Sequence, residues 1–322
     1  MKRIKKKFIL GILIFILICL LTEIKLKENF YSKYNLIEKR MNEIKIESLY
    51  IKSENKELLY ELNPNILPSN YNKKEEVYRI IIIGDSIARG QGLDKELNSS
   101  FGKLLETKLN LNKENKIYEV IILAISGYST SQEIILLEKE ALKYKPDLIL
   151  WSYVLNDPAN PKYHDGNGEL GFYFNRPKIF IIEEIEKRLF LFNEKRIINE
   201  KKCDKEYHKL IHCVYWNNLK KNIKRIADIS KKEKIEIIFL IHPVFEEDND
   251  FPNYSLKNLH EEIKKEMKEN NLLVLDILDI YKDHTKIEIR INNKDPWHPN
   301  EKGHEIIADY IYSFLNKEYK LF

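Results

Sequence analysis

The stretch Val77-Tyr78-Arg79-Ile80-Ile81-Ile82-Ile83-Gly84-Asp85-Ser86 joins a continuous apolar run to a glycine turn and a serine. Four successive isoleucines leave no polar face for solvent, so residues 77–83 read as a strand buried on both sides, with Arg79 its one charge. The same kind of run recurs at residues 120–124, 148–153, 235–241 and 272–275. Between these runs lie amphipathic stretches around 101–109, 130–143, 216–229, 256–268 and 301–315, which predict helices. Strands alternating with helices predict an α/β fold around a parallel sheet, in which ligands bind beyond the carboxyl ends of the strands.

Four sites lie just past those strand ends or before the last helix. The first is Gly84-Asp85-Ser86, followed by Gly90 and Gly92, where a tight turn exposes a serine hydroxyl and its N–H. By itself such a serine also reads as a helix cap. The second is Ser126-Gly127-Tyr128-Ser129-Thr130, whose glycine offers an unobstructed N–H or merely turns the chain. The third is Asn156-Asp157-Pro158, where the amide suits an oxyanion and equally a turn ahead of proline. The fourth is Asp295-Pro296-Trp297-His298-Pro299-Asn300. An aspartate three residues before a histidine on a proline-stiffened loop reaches Nδ1 and leaves Nε2 free as a base, while Asn300 caps the final helix. Read as metal ligands, the pair lacks a third partner.

Together these sites resemble the signatures of the SGNH (GDSL-type) hydrolases over roughly residues 75–318. Gly84-Asp85-Ser86 with Gly90-Gln91-Gly92-Leu93 resembles the first signature, Gly127 and Asn156 the second and third, and Asp295 with His298 the last. The resemblance implies a flavodoxin-like three-layer sandwich with about five parallel strands. It also implies Ser86 as nucleophile, His298 as base and Asp295 as its orienter. The N–H groups of Ser86 and Gly127 and the amide of Asn156 would form the oxyanion hole, with no cofactor or metal. The third signature departs from the family pattern, because Val154 and Leu155 stand before Asn156 where a glycine usually lies two residues ahead. No Gly-x-Ser-x-Gly elbow occurs.

Other residues have weaker patterns. His242, at the end of the fourth strand, is a candidate for lining the substrate cleft, and Trp297 for stacking on a sugar or stiffening the loop. His304 reads as a surface or packing residue. His164, His208, His212, His260 and His284 show no coherent ligand spacing, and Asp165-Gly166-Asn167-Gly168 reads as a turn, not a calcium loop.

The formal charge of +4 includes Lys2, Arg3, Lys5, Lys6 and Lys7, which leaves −1 for the remainder and argues against nucleic acid as partner. These cations precede an apolar run at residues 8–21 with no small-residue cleavage site after it, so an uncleaved signal anchor is expected at 1–26, favoured over a cleaved signal. Ile18 before Cys19 does not suit a lipoprotein site. A charged stalk is expected at 27–75 and the hydrolase domain at 76–322, interrupted at 159–215 by an insertion that acts as lid or as packing element and holds a helix around 179–192. Cys203 and Cys213 form a local disulfide or stay as buried thiols. An extracytoplasmic body favours O-acetyl groups of a polysaccharide or glycan as substrate. A lipid ester, acetyl transfer to a glycan, and glycan binding with an idle triad are the alternatives.

Overall fold

The computed structural model describes residues 2–111, 116–160, 168–245, 251–292 and 294–319. His164 and Asp165–Asn167 lie outside them. The chain divides into two compact units, residues 1–66 with 168–202, and residues 67–167 with 203–322.

In the first unit one α-helix, Lys2–Glu43, runs through the apolar segment and on into the charged stretch expected as a stalk. From Phe8 onward its apolar segment is long and apolar enough to cross a membrane, and the side chains there are exposed. Beyond it, aromatic stacking holds the helix to the middle of the insertion. Phe30 stacks on Phe172 at 4.7 Å and Tyr34 on Tyr173 at 5.8 Å between ring centroids, on the helix Gly168–Phe174. A short antiparallel pair, β1 (Tyr50–Lys52) and β2 (Tyr60–Leu62), joins the cluster where Tyr60 stacks on Phe174. Residues 27–66 and 168–202, separate in the sequence reading, therefore fold on one another.

The second unit holds a five-stranded parallel sheet: β3 (Val77–Gly84), β4 (Ile117–Ala124), β5 (Leu148–Val154), β6 (Glu236–His242) and β7 (Leu273–Asp276), in the order β4-β3-β5-β6-β7. This is the flavodoxin-like order. Helices Phe101–Leu111 and Glu301–Tyr319 pack together in one layer, and Thr130–Lys139, Tyr207–Glu233 and Lys257–Glu269 in the other. The central strands are buried on both faces because helices cover both; Ile80 to Ile83 are 0% exposed. Arg79 is tolerated in this setting because each nitrogen of its guanidinium finds an acceptor, in Glu119 at 2.6 Å and in the carbonyls of Tyr144, Tyr71 and Asn72. Cys203 and Cys213 are joined in a disulfide ahead of and within the first turns of Tyr207–Glu233. That helix begins nine residues before the expected start at 216.

Candidate active site

The switch point of the sheet fixes the site. β3 pairs on one side with β4 and on the other with β5, so that Gly84 lies opposite both Ala124 and Ser152. The loops that follow these three strands carry Ser86, Gly127 and Asn156. Gly84 is required by close approach, since a Cβ there would lie 2.7 Å from Ser152 Cβ and 2.9 Å from Ala88 Cβ. Asp85 caps the short helix Ser86–Arg89, its Oδ1 accepting the N–H of Ile87 at 3.1 Å, and this sets Ser86 at the first helical position. Gly127 has φ 78 in a turn closed by Tyr128 N–H to Ile125 O (3.1 Å), a position that favours glycine.

The loop after residue 290 brings the other half. Ser86 Oγ is 2.9 Å from His298 Nε2, and His298 Nδ1 is 2.8 Å from Asp295 Oδ2. A carboxylate only accepts, so Nδ1 donates the proton and Nε2 is left to accept from the serine. The second oxygen of Asp295 accepts the N–H groups of Trp297 (2.8 Å) and His298 (3.0 Å). Burial alone would push this carboxyl up, but the hydrogen bond and charge of His298 and the two backbone N–H groups outweigh it and hold Asp295 below its usual range. The loop is tied at both ends: Phe245 N–H donates to Pro296 O at 2.6 Å, and Ile291 N–H to His298 O at 3.0 Å. Asn300 caps the last helix through Gly303 N–H and also donates to the carbonyls of Glu288 and Arg290.

Three further carboxyls, not singled out in the sequence, accompany the site. Asp85, Glu133 and Asp157 are buried. Burial pushes Asp85 up to about 6 against the opposing pull of Ile87 N–H and His298. Glu133 and Asp157 are pushed well above the usual carboxylate range, first by burial and then by the charges of the other acids. Glu133 Oε2 accepts the indole N–H of Trp151 (2.9 Å) and Asp157 Oδ2 the N–H of Val154 (3.0 Å). Their other oxygens, together with Thr130 Oγ1 and Asn156 Oδ1, are buried without a protein partner among the described residues. Two of these acids adjoin candidate residues in sequence, and Glu133 interrupts the buried helix face of Ile134 and Leu137. Those are the signals that point to them.

The other sequence candidates have different surroundings. His242 is buried, its Nε2 against Ser152 Oγ at 2.9 Å, and so stands in the interior and not at the cleft surface. Trp297 is half-buried and meets the rings of His208 (5.1 Å) and Tyr207 (6.5 Å) edge-on. His304 is a packing residue, 0% exposed, whose Nδ1 accepts Phe101 N–H at 3.2 Å. His212 reaches Tyr153 Oη at 3.0 Å, and His260 pairs with Asp276 at 2.9 Å. No cluster of three potential metal ligands exists among the described residues.

The model of the GDSL-like lipase/acylhydrolase family matches residues 82–306. No curated protein matches the chain. Among solved structures, the lipase/acylhydrolase from Enterococcus faecalis is 17% identical, with 74% of this chain and 96% of that one covered and a TM-score of 0.46. The psychrotrophic esterase EstA from Pseudoalteromonas sp. is 18% identical, with 75% and 98% covered and a TM-score of 0.43. A mutant of Axe2, an acetyl-xylooligosaccharide esterase from Geobacillus Stearmophilus, is 17% identical, with 74% and 93% covered and a TM-score of 0.48.

Proposed function

Because the chain belongs to the GDSL-like lipase/acylhydrolase family, we propose that it is a serine ester hydrolase acting on O-acetylated glycans. In this reading residues 8–21 anchor it and its body is extracytoplasmic. The observation that carries the chemistry is the relay from Ser86 Oγ to His298 Nε2 at 2.9 Å and from Nδ1 to Asp295 at 2.8 Å. Ser86 attacks the ester carbonyl as His298 takes its proton, and Asp295 stabilises the imidazolium. The N–H groups of Ser86 and Gly127 and the amide of Asn156 hold the oxyanion. His298 returns the proton to the departing sugar oxygen as the ester C–O bond breaks, and a water it activates then hydrolyses the acyl-enzyme.

The glycan part of the proposal rests on topology. The cations of residues 2–7 would remain cytoplasmic and the following helix would cross the bilayer, leaving the rest of the chain facing cell-surface polymers. The test is a panel of acyl esters of rising chain length together with acetylated oligosaccharides, assayed on the full chain and on Ser86→Ala. We expect turnover of acetyl esters that falls with chain length and is abolished in Ser86→Ala with unchanged circular dichroism. Wild-type turnover in Ser86→Ala would refute the nucleophile; a preference for long acyl chains would refute the glycan reading.

A further inference from the structure

The helix Phe180–Lys201 carries an apolar stripe that nothing in its own unit covers. Ile182, Ile185, Leu189 and Phe192 recur at three- and four-residue spacing, so they share one side of the helix, and they are 48%, 52%, 60% and 69% exposed. Phe180, the buried residue of the helix, lies against Phe30 at 5.1 Å between centroids. By helical spacing it points away from the stripe, so the contact with the long N-terminal helix leaves the stripe open. An apolar strip of this kind on a surface helix marks a site of association.

The neighbour of that helix identifies the occupant. The carboxylate of Glu23 accepts the N–H of Phe180 at 2.8 Å and that of Ile181 at 2.7 Å, so it caps the helix. Glu23 stands two residues after Leu21, the last residue of the apolar run, a rise of about 3 Å along the helix axis. The start of Phe180–Lys201 is therefore latched at the level where the proposed span leaves the hydrocarbon. Along the helix five glutamates and five lysines and arginines balance. With no excess of either sign there, apolar burial and not headgroup charge would hold the helix down.

We infer that Phe180–Lys201 is an interfacial helix that beds Ile182, Ile185, Leu189 and Phe192 into the headgroup–acyl boundary of the leaflet from which the N-terminal helix emerges. The inference rests on the reading of residues 8–21 as a membrane span. A helix lying in the interface buries its apolar face about 5–10 Å into that boundary. The protein would then hold the membrane at two places, one crossing it and one lying along it.

The full chain is reconstituted into phosphatidylcholine vesicles, and tryptophan is introduced singly as Leu13→Trp, Phe192→Trp and Lys187→Trp. Emission above that of the wild-type protein is compared in plain lipid, in lipid brominated at mid-chain and in lipid brominated close to the headgroup. Leu13→Trp should be quenched most by the deep bromine and Phe192→Trp most by the shallow one. Lys187→Trp, at an exposed position on the side of the helix away from the stripe, should keep its emission in all three. If Leu13→Trp is quenched and Phe192→Trp is not, the span stands and the interfacial helix falls. If Leu13→Trp is also insensitive, the span reading fails and the inference with it. Blue-shifted but unquenched emission from Phe192→Trp would assign the stripe to a second copy of the chain and overturn the lipid assignment.

Discussion

Glu133→Gln separates a neutral buried acid from a charged one. Glu133 is fully buried, with one oxygen held by Trp151 N–H and the other without a protein partner among the described residues. Burial and the charge of Asp85 raise its folded pKa well above 4.5, against the hydrogen bond from Trp151. On unfolding the carboxyl regains its ordinary value, so above about pH 4.5 the unfolded chain releases a proton that the folded chain still holds. The stability associated with this group is thus complete below that pH. It declines with rising pH until the folded group ionises, at about 1.4 kcal/mol per pH unit. Glutamine keeps the carbonyl for Trp151 and cannot ionise. The variant should match wild type within about 1 kcal/mol near pH 4.5 and then lose that share of the downward slope, so it becomes the more stable protein toward neutrality. Urea unfolding of the detergent-solubilised chain, followed by tryptophan emission at half-unit pH steps, measures both profiles. Parallel profiles, or a variant already destabilised at the acid end, would show that Glu133 is carried as a charged group with a partner and refute the argument.

Asn156→Asp should lower kcat by about 10²–10³ with little change in KM, because a carboxylate beside a developing oxyanion repels it; near-normal kcat would assign the third donor to another group. Asp295→Asn should lower kcat by about 10⁴, since the amide no longer fixes Nδ1 as the protonated nitrogen. Steady-state kinetics with melting curves check both, and a loss confined to melting temperature would make Asp295 a loop fastener only.

The sheet was legible because its strands are buried on both faces, a state that Ile80–Ile83 and residues 148–154 signal without any partner in view. The bond between Asp295 and His298 was legible because it is local. The approach of Ser86 to His298, 212 positions apart, was expected from the resemblance, since no periodicity encodes it. Long-range pairings escaped. Nothing in the charged stretch 27–66 indicates that Tyr34 and Glu38 will meet Arg176. The early start of Tyr207–Glu233 was hidden because His208 and His212 look polar, yet both are buried, and both ring nitrogens of His212 are hydrogen-bonded. The burial of Glu133 and Asp157 escaped for the same reason, because a residue's type does not reveal its surroundings.

The N-terminal helix continues from Thr22 to Glu43 without a glycine or proline, so no kink point separates the apolar segment from the residues stacked on Phe172 and Tyr173. Mechanically it is a lever. Its arm from Leu21 to Glu43 is about 33 Å long. Helices that span a membrane stand tilted from its normal by about 20° on average. A rigid arm converts such a tilt into a sideways sweep of about 11 Å at its far end. With Glu23 latching the helix Phe180–Lys201 near the fulcrum, if residues 8–21 cross a membrane as proposed, a change in that tilt would swing the aromatic cluster as one piece and leave its stacking undisturbed.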